Sequence, residues 1–238
     1  MEHTELSAWR YALYFAPSPD EPLAQIARRW LGRDCRTGAP VEQPRVEGVS
    51  PDRLREITAD ARRYGFHATL KAPFRLAEGR DPTELRRSLR EFTLVRHPFT
   101  VPSLVLTSSL GFPALVPEEP CAALDRLADD CVRAFDLFRA APSAEEIARR
   151  KARNTRLTPR QLDHLKHWGY PYVFEDYRFH MTLGGPLPDE DERHAVMAAL
   201  ADEFRDCLGK PLHVTAVCLF IEPEPNGDFR LFCRDKFG

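Results

Sequence analysis

Two segments of this chain repeat one pattern: YGFHATLKAPF at residues 64–74 and YRFHMTLGGPL at residues 177–187. Aligned without gaps, they share tyrosine, phenylalanine, histidine, threonine, leucine and proline. Because side chains alternate between the two faces of a strand, each segment predicts a strand with one apolar and one polar face. Fold periodicity alone gives no reason to repeat histidine and threonine on the polar face, so the repeat indicates a duplicated functional element.

Each polar face is predicted to carry one imidazole, one hydroxyl two residues later and one permanent cation. These side chains are His67, Thr69 and Lys71 in the first segment and His180, Thr182 and Arg178 in the second. A lone histidine on a strand is more often structural than catalytic. Two histidines in the same context favour a catalytic pair, His67 and His180.

A pair of facing histidines suits general acid–base chemistry. An unperturbed imidazole has a pKa of about 6.5, so near neutrality one ring can accept a proton while the other donates one. Threonine hydroxyls, lysine and arginine can bind phosphate oxygens as charge develops on them in the transition state. The combination predicts attack on a phosphodiester.

Other site chemistries lack their sequence patterns. The six cysteines form no C-x-x-C pair, and the histidines have no zinc-type spacing. The chain has no G-x-S-x-G, no Walker loop and no G-x-G-x-x-G. We therefore expect neither a metal nor a cofactor.

Length and charge limit the class of protein further. A chain of 238 residues can bury a sizeable core in one domain or two small lobes. The net charge of −2 disfavours a long nucleic-acid duplex as partner. The first residues show no secretory leader, and no apolar run is long enough to span a bilayer, which predicts a cytoplasmic protein without membrane contact.

Strand and helix patterns alternate along the chain, but hairpin patterns occur as well. Strands are predicted at 10–15, 64–74, 177–187 and twice within 99–117, with a closing hairpin after residue 212. Helices are predicted after residue 21, after Asp81 and Pro82, over 121–138, from Thr158 to Gly169, and over 190–208. The mixture predicts an α+β fold with mainly antiparallel sheets.

The two H-x-T-L segments resemble those of the 2H phosphoesterase superfamily. LTPRQLDHLKHWGYPYVFEDYRFHMTLGGPL, RYALYFAP and RRYGFHATLKAPF are similar to an uncharacterised bacterial branch associated with phosphonate-utilisation genes. The resemblance implies a single bilobal, pseudo-twofold domain with two sheets flanking a central cleft. The first motif would lie in a lobe of roughly residues 1–118 and the second in a lobe of roughly 119–238, with strands free to cross.

The resemblance also implies residue roles and an activity. His67 would be the proton donor and His180 the acceptor, although a pseudosymmetric site can run either way, and Thr69 and Thr182 would bind phosphate oxygens. The expected activity is metal-independent hydrolysis of a small cyclic phosphodiester by a monomer. A ribosyl cyclic phosphate, a 2′,3′-cyclic nucleotide and an RNA end all remain open, as does a non-catalytic nucleotide-binding module.

Further residues are expected near the substrate. Lys71, Arg178, Tyr64 and Tyr177 belong to the repeated segments, while Arg153 and Arg156 lie in the basic stretch RRKARNTRLTPR at 149–160. That stretch is either a flap contacting a phosphate or, as we favour, a solvated helix end and loop. The aromatic residues Trp168, Tyr170 and Tyr172 could stack on a base, but for Trp168 packing against the core is favoured.

Overall fold

The structure, a computed structural model, describes residues 6–142, 145, 147–148 and 157–238. Its strands are β1 (Arg10–Phe15), β2 (Ala68–Phe74), β3 (Phe99–Val101), β4 (Leu104–Thr107), β5 (Ala114–Pro117), β6 (Met181–Thr182), β7 (Leu212–Val214), β8 (Ala216–Glu222) and β9 (Arg230–Lys236). Its helices are α1 (Pro22–Leu31), α2 (Pro51–Ile57), α3 (Ala59–Tyr64), α4 (Pro82–Leu94), α5 (Ala122–Ala134), α6 (Pro159–Trp168) and α7 (Glu190–Glu203). Within the described ranges, no helix has both the length and the apolar composition needed to cross a bilayer.

The strands form two antiparallel sheets and a separate two-stranded pair. The larger sheet has the order β2-β1-β8-β9, the smaller has the order β4-β5-β6, and β3 pairs with β7. The predicted α+β fold with antiparallel sheets is therefore confirmed. Strands β2 and β6 each lie at the edge of a sheet and contact each other, which brings the two repeated segments together.

Strands from both halves of the chain are exchanged between the two sheets. Strands β8 and β9, from the second half, complete the sheet that contains β1 and β2. Strands β4 and β5, which precede residue 118, complete the sheet that contains β6. A boundary at residues 118–119 therefore cuts across both sheets instead of separating them.

One hydrophobic core joins the two sheets. It contains Leu13 and Leu219 of the larger sheet together with Leu115 and Met181 of the smaller one, all fully buried. Full burial of one such side chain contributes about 1.5–3 kcal/mol. The buried indole of Trp30 in α1 also crosses the junction, because its Nε1–H donates to the Leu183 carbonyl at 2.8 Å.

The predicted helix starts are confirmed to within a residue, but the helices predicted over 121–138 and 190–208 are shorter, because α5 ends at Ala134 and α7 at Glu203. Helices α1 and α6 end at Gly32 and Gly169, whose φ angles of 76° and 73° favour glycine. The Asp81 side chain caps α4 by accepting a hydrogen bond from the Thr83 amide. A capping box that includes Thr158 begins α6.

The strand predictions for the repeated segments are too long. Tyr64 is the last residue of α3, and Gly65 turns the chain with a φ of 77°, so β2 begins at Ala68. In the second segment, Tyr177 follows the 3₁₀ turn Phe174–Asp176, and the strand is limited to Met181–Thr182. Strict alternation of faces therefore does not extend over the whole of either segment.

Candidate active site

The His67 ring is fixed on both sides just before β2. Its Nδ1–H donates to the Gly65 carbonyl at 2.8 Å, and its Nε2 lies 3.3 Å from the Thr69 hydroxyl. The ring stacks on the buried ring of Tyr14, with centroids 3.7 Å apart and planes inclined by 21°. Because a carbonyl can only accept, the neutral ring carries its proton on Nδ1 and presents Nε2 as a proton acceptor.

The His180 ring is fixed in the same way just before β6. Its Nδ1–H donates to the Arg178 carbonyl at 2.8 Å, again two residues upstream. One side of the ring faces Phe112, at 5.7 Å between centroids. The repeat therefore duplicates a side-chain conformation as well as a sequence: each imidazole is locked by a local carbonyl and has its Nε2 free of that bond.

The two segments share one cavity of about 380 Å³, which we call the histidine cavity. Its walls include Thr69 of the first segment and His180 of the second. His67 is not itself a lining residue of this cavity, but its Nε2 lies beside the hydroxyl of Thr69, which is. The other polar or aromatic lining residues are Phe112, Tyr170, Tyr172, Phe174, Asp176, Tyr177 and Arg178.

Burial and charge set the protonation of His67. Burial lowers the pKa of His67 to about 4, the Gly65 carbonyl opposes that shift, and the electrostatic interaction with His180 lowers the pKa of His67 further. The two imidazoles are thus close enough to interact electrostatically. At neutral pH His67 is an uncharged ring with an accepting Nε2.

The sequence matches one family model. That model, described as "Protein of unknown function (DUF1045)", covers residues 69–230. The chain belongs to the DUF1045 family. The match begins at Thr69, two residues after His67, and includes the whole second segment.

Two curated relatives are longer than this DUF1045 chain. It is 40% identical over 234 residues to "Ribose 1,5-bisphosphate phosphokinase PhnN" of Janthinobacterium sp. (strain Marseille), covering 97% of the chain and 51% of that protein. It is 39% identical over 227 residues to the protein of the same name from Laribacter hongkongensis (strain HLHK9), covering 94% and 51%. The chain thus spans about half the length of these relatives.

Solved structures of E. coli LigT are more distant. The complex with NADP+ matches 97% of the DUF1045 chain and 98% of LigT, with 16% identity and a TM-score of 0.43. The complex with 3′-AMP matches 97% and 99%, with 15% identity and a TM-score of 0.38. Similarity at this level does not define a shared activity.

Lys71 does not share the face of His67 and Thr69 in this DUF1045 chain. The β1–β2 register shifts between the pairs Tyr14–Thr69 and Leu13–Lys71, so β2 bulges and turns Lys71 towards the core side. Lys71 is buried, and its ammonium donates to Asp136 Oδ1 and to the Val132 carbonyl, both at 3.1 Å. Lys71, the cation predicted for the first polar face, is therefore part of a buried ion pair with Asp136.

Arg178 and Tyr177 both line the histidine cavity. Arg178 is exposed, and its Nη1 donates to the Glu175 carbonyl at 2.9 Å, which leaves guanidinium N–H groups for a ligand. The Tyr177 side chain is buried, and its hydroxyl has no hydrogen-bond partner among the residues that the structure describes. A buried donor of this kind is costly unless a water or a ligand oxygen completes it.

Two of the remaining predicted residues are not in the lining of the histidine cavity, and the other two are not among the described residues. Thr182 is half-buried, pairs with Ala114 of β5 and is not among the lining residues of the histidine cavity. Tyr64 stacks on Phe229, with centroids 5.0 Å apart, and lines a second, neighbouring cavity. Arg153 and Arg156 fall outside the described residues.

The aromatic residues after α6 divide into two groups. The Trp168 ring meets Phe174 edge-on at 5.0 Å, in agreement with the packing role favoured for it. Tyr170 and Tyr172 line the histidine cavity and contact each other edge-on at 5.6 Å between centroids. The tyrosines therefore remain candidates for ligand contact.

Sequence reasoning missed Tyr14, on whose ring His67 stacks. A signal was present, because Tyr14 lies between Ala12 and Ala16, and small side chains two residues away on the same strand face leave room for a ring. In the described part of the chain, no three His, Cys, Asp or Glu side chains are grouped as metal ligands would be.

Proposed function

We propose that this protein is a metal-independent phosphodiesterase that hydrolyses a small cyclic phosphodiester. The observation that carries the proposal is the paired geometry of His67 and His180. Each ring is locked through Nδ1, His180 lines the histidine cavity, and His67 Nε2 lies 3.3 Å from the hydroxyl of Thr69 in the wall of that cavity. Two such nitrogens can act on the attacking water and on the leaving oxygen of the same phosphorus centre.

The proposed reaction uses one water molecule. His67 Nε2 takes a proton from the water, and the resulting hydroxide attacks phosphorus. The bond from phosphorus to one bridging ester oxygen breaks, and His180 gives its Nε2 proton to that oxygen, so a phosphomonoester and a free hydroxyl are formed. The Thr69 hydroxyl and the Arg178 guanidinium donate to the non-bridging oxygens.

This assignment reverses the donor and acceptor roles implied by the resemblance. The low pKa of His67 supports it, because a ring that is neutral near pH 7 is ready to accept a proton. His180 then supplies the proton to the leaving oxygen.

The substrate class and the metabolic context are part of the same proposal. We favour a ribosyl cyclic phosphate or a 2′,3′-cyclic nucleotide over an RNA end, in keeping with a cavity of about 380 Å³. A role in phosphonate catabolism follows from the branch that the sequence resembles. The phosphokinase name of the relatives gives no kinase activity to this chain, which lacks a Walker loop.

The proposal is tested with purified protein, EDTA in excess and a panel of cyclic phosphates, with products followed by phosphorus NMR. We expect ring opening in EDTA, and loss of at least about 100-fold in rate in both His67→Ala and His180→Ala, because each proton transfer typically contributes that much. His213→Ala is the matched control, since His213 lies in β7 and contacts Thr100. Unchanged turnover in both variants would refute the assignment, and tight binding without turnover would favour a binding module.

A further inference from the structure

A second cavity of about 380 Å³ adjoins the histidine cavity and is lined by arginines. Ala72 and Tyr170 belong to the walls of both cavities, so the two spaces are neighbours across these residues. We call the second cavity the arginine pocket after the four guanidinium side chains in its wall: Arg10, Arg63, Arg75 and Arg139. None of its described lining residues is an aspartate or a glutamate.

The carboxylates behind the arginine pocket leave it with excess positive charge. Glu222 is fully buried and accepts hydrogen bonds from both Arg10 and Arg63. Asp136 is likewise shared, between Arg139 and Lys71. Each carboxylate is thus paired with two cations and neutralises one of them. The Glu222 cluster and the Asp136 cluster therefore each keep a net charge of about +1, which a bound anion can compensate.

The guanidinium groups are held in place before any ligand binds. Arg63 Nε donates to the Gly227 carbonyl at 3.0 Å, and Arg139 Nη2 donates to the His167 carbonyl at 2.6 Å. The Arg75 guanidinium lies over the Trp9 ring at 5.6 Å from its centroid. Fixed, planar guanidinium groups match the oxygens of a phosphate and lose little side-chain entropy on binding it.

We propose that the arginine pocket binds a phosphate monoester carried by the same small molecule whose cyclic phosphodiester occupies the histidine cavity. The inference rests on the proposed function and narrows its substrate class to molecules with two phosphorus groups. A phosphate monoester is close to a dianion at neutral pH, and several guanidinium groups compensate such a charge better than they would a neutral sugar or base.

Binding is measured first, in the His67→Ala protein, so that turnover plays no part. Ribose 5-phosphate and ribose are the probes, and isothermal titration calorimetry is the readout. We expect ribose 5-phosphate to bind about tenfold more tightly than ribose, or better. We expect Arg63→Gln to weaken the binding of ribose 5-phosphate about tenfold, which is the equivalent of one charge-assisted hydrogen bond. Arg63→Gln leaves Glu222 paired with Arg10, and Arg75→Gln serves as a second variant.

Arg86→Gln is the matched control, because it also breaks an arginine–carboxylate pair, with Asp235, but lies outside the arginine pocket. Equal affinity for ribose and ribose 5-phosphate would overturn the inference. Equal losses of affinity for ribose 5-phosphate in Arg63→Gln and Arg86→Gln would overturn it as well.

A turnover experiment separates the two proposals. A nucleoside 2′,3′-cyclic phosphate is compared with the same compound carrying a 5′-phosphate. We expect kcat/KM to be higher for the form with the 5′-phosphate. In Arg63→Gln, the ratio of kcat/KM between the two forms should fall towards one. Turnover of both forms at one rate would reject the arginine pocket as a phosphate site and leave the phosphodiesterase in place. Tighter binding of ribose 5-phosphate, lost in Arg63→Gln, with no turnover of either form would keep the pocket and reject the phosphodiesterase.

Discussion

At the scale of single residues, His67 and His180 make the same hydrogen bond through Nδ1 but have different aromatic neighbours, Tyr14 and Phe112. The repeat identified His67 and His180 because equal neighbours in sequence produced equal local hydrogen bonds to carbonyls two residues upstream. The stacking of His67 on Tyr14 joins residues 53 positions apart. The alanines on either side of Tyr14 indicate room for a ring, but they do not indicate which ring fills it. The buried position of Lys71 likewise depends on a bulge in the pairing with β1.

The pH dependence of the reaction tests the role of His67. Since burial lowers the pKa of His67 to about 4, a base at this position stays active until the pH falls through about 4, well below the ordinary value for histidine. We expect the acidic limb of kcat/KM, which reports the free enzyme, to lie there. Circular dichroism over the same range controls for acid unfolding, and an acidic limb at about 6.5 or above would argue against His67 as the base.

Lys71 and Arg178 should differ in their effects on rate and stability. Lys71→Met removes a buried ammonium but leaves Asp136 paired with Arg139, so we expect kcat/KM to stay within a few-fold of the wild type. Arg178→Gln removes a donor from the wall of the histidine cavity and should lower kcat/KM by about tenfold or more, with the melting temperature nearly unchanged. A large loss of rate in Lys71→Met at an unaltered melting temperature would indicate that Lys71 contacts the substrate, as the sequence predicts.

At the scale of elements, the sequence predicted local features well and partner-dependent features poorly. The caps of α4 and α6 follow from a few adjacent residues, and the structure has them where the sequence predicts. Strand length depends on how far a partner strand continues, and β6 pairs with β5 over two residues. The predicted eleven-residue strand at 177–187 therefore became a short strand in an otherwise irregular segment.

Gly65 links α3 to β2, and its replacement should disturb both. Its φ is 77°, and a Cβ there would lie 2.8 Å from the Cys35 Cβ, closer than any relaxed contact. Gly48 has nearly the same φ, 76°, but open space around it. We expect Gly48→Ala to lower the free energy of unfolding by about 1–2 kcal/mol, because alanine is strained in a left-handed backbone conformation. Gly65→Ala should lower it by more.

Gly65→Ala should also lower the rate, because it displaces the carbonyl that holds His67 Nδ1. Urea unfolding and single-turnover rates of both variants give the comparison. Equal losses of stability and rate in the two variants would mean that the contact with Cys35 and the carbonyl position are unimportant.

At the scale of the whole molecule, we expect one cooperative unfolding transition. The shared core and the hydrogen bond from Trp30 to Leu183 connect the two sheets, so neither can open without exposing buried side chains of the other. The variant Trp9→Phe/Trp168→Phe leaves Trp30 as the single indole, and its fluorescence reports on the junction. Midpoints from fluorescence and far-ultraviolet circular dichroism should coincide, and two separated transitions would show that the sheets unfold independently.

The exchange of strands has a consequence for how such a chain can be divided. A cut near residue 118 would leave each fragment with part of both sheets and a complete version of neither. Each fragment would need strands of the other fragment to complete its sheets. The two histidine motifs therefore do not belong to two halves of the chain that could each form a complete sheet alone.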